Sequence, residues 1–347
     1  MSSKNWVFLT PISNLKITSS VNNEICIDRV TFISGEKLIN IRDRLGIKKS
    51  NIKLIDKRLG KNRITPTIKD LFKTHETFAL VRQTGTKEQV KPDCFRKVSD
   101  ELLILNLSRL FFERRKYSGF LSLEGSSKME KTTHILLDSN STAHNLGFKL
   151  LTSPLELSLD QQWLQFQNNF FFLDLLKILK KKKNVSKNWR ESLRRAAIFA
   201  GKSLNTNNIA DALLWNIVAL ESLITNQGES ISTVLIDRIK ALIGWHGNWI
   251  SDDYEKQIQN IYNLRSAYIH DGIDSKIDKD SLLFSDKLVF NVFLNLVTFS
   301  NYFPSKNKFI EFSNKTEALN TLGYKLPKHP SLKFVNQTYT SQQIQLI

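Results

Sequence analysis

Cysteine is nearly missing from this 347-residue sequence: it has Cys26 and Cys94, with no metal-ligand spacing between them. Two thiols exclude a disulfide framework and fit a reducing interior. Acidic residues are short as well, 33 against 50 Lys and Arg, which leaves a formal net charge of +17. Such an excess favours polyanionic partners, nucleic acid first and an acidic membrane surface second, although it also serves solubility alone. Long apolar runs are missing too. Residues 1–11 hold too short an apolar stretch for a secretory signal. No segment reaches the length of a membrane span; the nearest, 288–299, follows Asp286-Lys287 and suits a buried helix. A cytoplasmic protein without membrane contact is expected. Metal-ligand spacing is lacking throughout: His75, His134 and His144 are scattered, and His270-Asp271 with Asp274 reads as a helix end. No cofactor is expected.

A chain of this length can bury two cores. Residues 1–150 read as an α+β domain. Strands are expected at 24–33 and 76–82, where β-branched and aromatic residues concentrate, with a helix at 35–45 stopped by Gly46. A helix over 99–116 carries Leu102, Leu103, Leu110 and Phe111 and ends basic at Arg114-Arg115-Lys116. Short strands follow at 120–123 and 134–137, then a polar loop at 138–142. From about residue 155 the chain reads as an all-α bundle to 303, with helices over 160–182, 188–204, 208–225, 231–243, 253–269 and 281–303. Residues 304–347 read as a tail with one short helix at 316–322 and a loosely held polar end.

Basic residues gather twice within the helical half. Lys180, Lys181, Lys182 and Lys183 close the first helix, and Arg190, Arg194 and Arg195 are expected on one side of the next. Both groups are candidates for tracking phosphates, with solvated helix ends as the plain alternative.

Two charges stand where apolar residues are expected. Glu221 follows Ile217 by four and precedes Ile224 by three; Arg265 follows Ile261 by four and precedes Tyr268 by three. A charge on a core-facing line is costly unless paired or facing a functional cavity. A Glu221–Arg265 pair is the economical inference, with Arg238 as a competing partner. Breaking a buried pair costs about 3–5 kcal/mol, and fixing helix register is the plain alternative role for it. His270 lies in the same helix just before Asp271-Gly272, a common helix stop. A guanidinium with a proton-exchanging imidazole is a workable pair for phosphodiester chemistry.

Ala219-Leu-Glu-Ser-Leu-Ile224, Asp237-Arg-Ile-Lys-Ala-Leu242 and Arg265-Ser-Ala-Tyr-Ile-His270 together resemble the Apea-like HEPN domains, over about residues 155–303. The resemblance implies an up-and-down helical bundle that pairs into a homodimer. It also implies cleavage of RNA without metal, through the arginine and histidine of an Arg-x4-His motif, with tRNA one candidate among the RNAs. These fall on Arg265 and His270. Glu221 matches the acidic residue of the earlier helix, and Ser266 the polar position after the motif arginine. Tyr268 and Asp271 lie beside them as supporting residues. Many relatives have glycine directly after the histidine, where this sequence has Asp271 before Gly272. In the wider group variable N-terminal domains act as sensors in anti-phage defence, which gives residues 1–150 a sensing or regulatory role and a phage-derived or cellular trigger. The rival readings are a non-catalytic RNA-binding scaffold and a regulatory module that binds a nucleotide or a protein.

Overall fold

The computed structural model describes residues 3–47, 75–113, 115, 121–123, 135–137, 143–145, 156–324, 332–340 and 344. The chain divides into two compact units, Met1–Leu102 with Ser118–Phe166, and Leu103–Tyr117 with Gln167–Ile347. The division interleaves, whereas the sequence suggests a single cut near residue 150. An α+β part thus precedes a helical part, as the composition of the two halves implies.

The first unit is built on a sheet. Its strands are β1 (Lys4–Ser13), β3 (Glu24–Ile27), β4 (Val30–Ser34), β5 (Thr77–Gly85), β6 (Ser122–Leu123), β7 (Ile135–Leu137) and β8 (Ala143–Asn145). Among the described residues they run in the order β3-β4-β5-β1-β7-β8, with β6 also on β1 and every pairing antiparallel. A second, parallel pair joins β2 (Leu15–Ile17) to β9 (Leu157–Leu159). β1 holds the centre because Trp6, Phe8, Leu9 and Ile12 are all buried. The run expected as one strand at 24–33 is a hairpin, since Asp28 takes a positive φ of 44° between β3 and β4. α1 (Gly35–Ile41) is capped by the Ser34 hydroxyl, which accepts from the Lys37 N–H, and a 3-10 turn then ends at Gly46 in the left-handed region. The loop expected at 138–142, together with His134, Arg114 and Lys116, falls outside the described residues.

α2 (Lys87–Leu107) starts earlier and stops earlier than the 99–116 expected. After Leu107 the backbone bonds tighten to three-residue turns, Ser108 to Leu105, Arg109 to Asn106 and Leu110 to Leu107, and Phe111 then takes a φ of 67°.

The second unit contains α4 (Phe172–Leu179), α5 (Lys187–Ser203), α6 (Ile209–Ile224), α7 (Ile231–Ile243), α8 (Asn248–Ser251), α9 (Tyr254–Asp271), α10 (Lys279–Thr298) and α11 (Lys306–Thr321). The 160–182 helix is in fact two, α3 (Gln161–Asn169) and α4. α11 is much longer than the 316–322 expected, and begins where the Ser305 hydroxyl accepts from the Lys308 N–H. α10 fills the centre of the bundle. By length and composition it is apolar enough to cross a membrane, contrary to the expectation that no segment is, and 83% of its apolar stretch is buried inside the bundle, as in a core helix. α5 approaches the Leu103–Leu107 segment so closely that a Cβ on Gly201 would lie 1.9 Å from the Leu103 carbonyl oxygen. The Asn106 amide donates to the Gly201 carbonyl at 2.9 Å beside that contact.

A polar knot sits within this apolar bundle. Arg115 grips Asp286 with two bonds, Nε to Oδ2 at 2.9 Å and Nη2 to Oδ1 at 2.6 Å, and donates to the Ser203 carbonyl and hydroxyl. Asn216 donates to Asp286 and Ser285, and the Ser203 hydroxyl donates to the Ala212 carbonyl. The knot thereby ties α5, α6, α10 and the 103–117 segment together.

The C-terminal segment 332–340 is docked, not loose. It runs antiparallel to α10. Asn295 donates to the Lys333 carbonyl and accepts from its N–H, both at 2.8 Å; Asn291 does the same for Val335 at 3.0 and 2.7 Å. Four residues of helix rise about 6 Å and two residues of extended chain about 6.6 Å, so the two ladders stay in step. Phe334 rests on His246, with centroids 4.0 Å apart, and near Tyr254, the first residue of α9. Burial and the neighbouring Asp286 push the Tyr339 hydroxyl well above its ordinary range.

Candidate functional site

α6 supplies the carboxylate and α9 the guanidinium. α6 starts at Asn208, whose side chain accepts from the N–H groups of Ala210 and Asp211, and it buries Leu213, Ile217, Leu220 and Ile224. The remaining stripe of Asp211, Leu214, Trp215, Val218, Glu221 and Ser222 is only half-buried. α9 buries just Tyr254, Ile258 and Ile261, and its later half lies at the surface.

Arg265 and Glu221 meet, with Nη2 to Oε2 at 3.4 Å and side-chain exposures of 17% and 14%. Arg238 does not compete. It is buried, donates to Glu229 with two bonds of 2.7 and 2.8 Å and also donates to the Ile224 carbonyl. Those hydrogen bonds hold the Glu229 carboxyl below its usual range.

The Glu221–Arg265 pair is poorly satisfied. Its one bond is long, and among the described residues the buried Glu221 Oε1 and Arg265 Nε have no hydrogen-bond partner. Burial pushes the Glu221 carboxyl up, and Arg265 only partly offsets it. Native structures rarely leave such atoms unpaired, and a site that awaits a ligand is one reason for it. Tyr262 lies beside the guanidinium, its ring centroid 5.8 Å away. One turn on, the Tyr268 hydroxyl donates to Asp211 at 2.7 Å, which raises its pKa and fixes α9 against α6 a second time.

His270 lies elsewhere. α9 continues through Asp271 and stops at Gly272, whose φ is 67° and whose N–H reaches the Ala267 carbonyl. Five helical residues turn the direction by about 140°, so Arg265 and His270 diverge. His270 and Asp271 are exposed, and neither side chain makes a hydrogen bond among the described residues. Ser266 is half-buried on the same helix and is likewise unbonded through its side chain.

The basic candidates separate into smaller sets. Lys180, Lys181 and Lys182 form the turn after α4, where Lys181 takes a φ of 59°. Lys183 is drawn back to Asp174 at 3.0 Å. Burial would raise the Asp174 carboxyl, but bonds from Lys177 and Lys183 outweigh it and hold it low. On α5, Arg190 and Arg194 share a face, while the exposed Arg195 does not; it aligns instead with Phe199 and Lys202 at steps of four and three.

Sequence reasoning missed two features near this site. Lys306, at the start of α11, donates to the Ser222 and Thr225 carbonyls at the end of α6. Burial, aided by Arg238, pushes its amine down to about 8. Phe199 and Trp215 stack across α5 and α6, with centroids 5.6 Å apart and planes 8° from parallel, and Lys202 lies over both rings. An aromatic and a lysine three residues apart on α5 were the available signal. Among the described residues no three His, Cys, Asp or Glu side chains gather as a metal site would. No known protein family, no curated protein and no solved structure matches the chain.

Proposed function

We propose that the helical unit is an endoribonuclease of the HEPN type that cuts RNA without metal, with the first unit as its sensing or regulatory part in anti-phage defence. The under-satisfied Arg265–Glu221 pair carries this reading. Arg265 spends one long bond on Glu221, and most of its planar N–H donors remain for an anion. Glu221 keeps the guanidinium in place without saturating it.

RNA brings its own nucleophile, the 2′-hydroxyl. Arg265 holds the non-bridging phosphate oxygens and stabilises the charge that grows on them. His270 takes the proton from the 2′-hydroxyl or gives one to the departing 5′-oxygen. The bond from phosphorus to the 5′-oxygen breaks as that from the 2′-oxygen forms, leaving a 2′,3′-cyclic phosphate and a 5′-hydroxyl. Because Arg265 and His270 diverge on one helix, the active unit is a homodimer in which each protomer supplies a residue that the other aims elsewhere.

That divergence also favours a second reading, an RNA-binding scaffold without catalysis. His270→Ala separates the two. Loss of cleavage with RNA affinity kept supports the enzyme; RNA binding by an unaltered protein that never cuts supports the scaffold. Failure to bind or cut any RNA points to a nucleotide- or protein-binding regulator.

A further inference from the structure

Phe199, Trp215 and Lys202 make up a half-buried aromatic feature of the helical unit that the chemistry above does not use. The two rings are half-buried rather than submerged, nearly parallel, and offset. The Lys202 ammonium stands 4.5 Å from the Trp215 centroid and 5.5 Å from that of Phe199. Among the described residues no carboxylate pairs with Lys202, since Asp211, one turn before Trp215, is engaged by Tyr268.

The plate and Arg265 border the same half-buried stripe of α6. Tyr268 and Arg265 reach it from α9, at Asp211 and Glu221. Phe199 reaches it from α5, at Trp215. Leu214, Val218 and Ser222 lie between them by helical position. Trp215 precedes Glu221 by six residues, about 9 Å along the helix axis and about 120° around it, so the two stand at opposite edges of the stripe, facing α5 and α9. Arg195, exposed one turn before Phe199, adds a cation on the same edge.

Flat aromatic surface beside a cation, within a short reach of an arginine that has donors to spare, suits a nucleotide with its base exposed. We infer that Trp215 and Phe199, with Lys202, form the stacking platform for an unpaired base of the RNA whose phosphate Arg265 holds. The inference rests on the RNA reading above and narrows it: the substrate is single-stranded or looped at this point, since a paired base keeps its faces inside the helix. A lysine in the last turn of α5 is also favourable for the helix itself, so the test needs a readout that packing alone does not move.

The probe is a short single-stranded RNA with 2′-methoxy groups, which lacks the nucleophile and stays intact. Its affinity for the full chain is measured with one abasic nucleotide moved along it in turn. Trp215→Leu is expected to weaken binding about tenfold, and Trp215→Phe to keep most of it. One abasic position should cost the unaltered protein a similar factor and cost Trp215→Leu nothing more. Should Trp215→Leu melt early, the abasic series on the unaltered protein decides alone, and a series without one sensitive position overturns the platform. Equal affinity for the unaltered and Trp215→Leu proteins, with Arg265→Ala still weakening binding, overturns the platform and leaves the RNA reading standing. An unaltered protein that binds no RNA removes both.

Discussion

Arg265 is neither buried enough to be a core charge nor exposed enough to be a surface one. With side-chain exposures of 17% and 14%, its pair with Glu221 falls short of the deep burial to which a penalty of about 3–5 kcal/mol belongs. Glu221 sharpens this. Its folded pKa lies above the usual carboxylate value, so the native state binds more protons than the unfolded chain between the two values. Stability from this group is therefore full below the unfolded value of about 4.5 and is lost as pH rises through the folded value. Glu221→Gln mimics the protonated form. It should melt with the unaltered protein near pH 4.5 and no lower than it at pH 7.5, while cleavage falls as Arg265 loses its anchor. A melting temperature that drops more at pH 7.5 than at pH 4.5 would show that the charged pair is a net stabiliser. Asp286 is the contrasting case: buried, held by two bonds from Arg115 and fully satisfied. Asp286→Ala strands Arg115 and should cost about 3–5 kcal/mol in denaturant unfolding.

α10 shows how a helix recruits an extended segment. Asn291 and Asn295 each return two hydrogen bonds to the backbone of 332–340. Such bonds contribute about 1 kcal/mol each, so Asn291→Ala with Asn295→Ala should release the segment while the bundle stays folded. Amide exchange at Lys333 and Val335 reads this directly; unchanged protection would mean that Phe334 on His246 holds the segment by itself. α6 and α9 were legible in the sequence because Ile217, Leu220, Ile224, Ile258 and Ile261 mark their buried sides at helical spacing. α7 follows its expected bounds for the same reason. The docked segment was not legible, because its partners are two asparagines inside a helix and its own groups are backbone. Nor was β1, whose burial on both faces removes the alternation that marks a strand. The helix expected over 99–116 ends at Leu107, ahead of the positive φ at Phe111, with no change of composition to mark the stop.

For the molecule as a whole, two features meet. The net charge of +17 suits a polyanionic partner, and in the proposed reading the Arg-x4-His run acts on it. With Arg265 and His270 turned about 140° apart on one helix, the proposed cleavage site takes its two residues from two chains. Co-expressed His270→Ala and Arg265→Ala chains should recover in mixed dimers some of the cleavage that neither has alone. A fully active monomer in sedimentation at micromolar concentration would contradict the shared site. The central claim, cleavage by the RNA's own 2′-hydroxyl, is tested most directly at the cut ends. Purified protein is incubated with RNA in excess EDTA, and the termini are mapped beside those from His270→Ala. A 2′,3′-cyclic phosphate and a 5′-hydroxyl, absent with His270→Ala, are expected; ends with a 3′-hydroxyl, made only when magnesium is supplied, would contradict it.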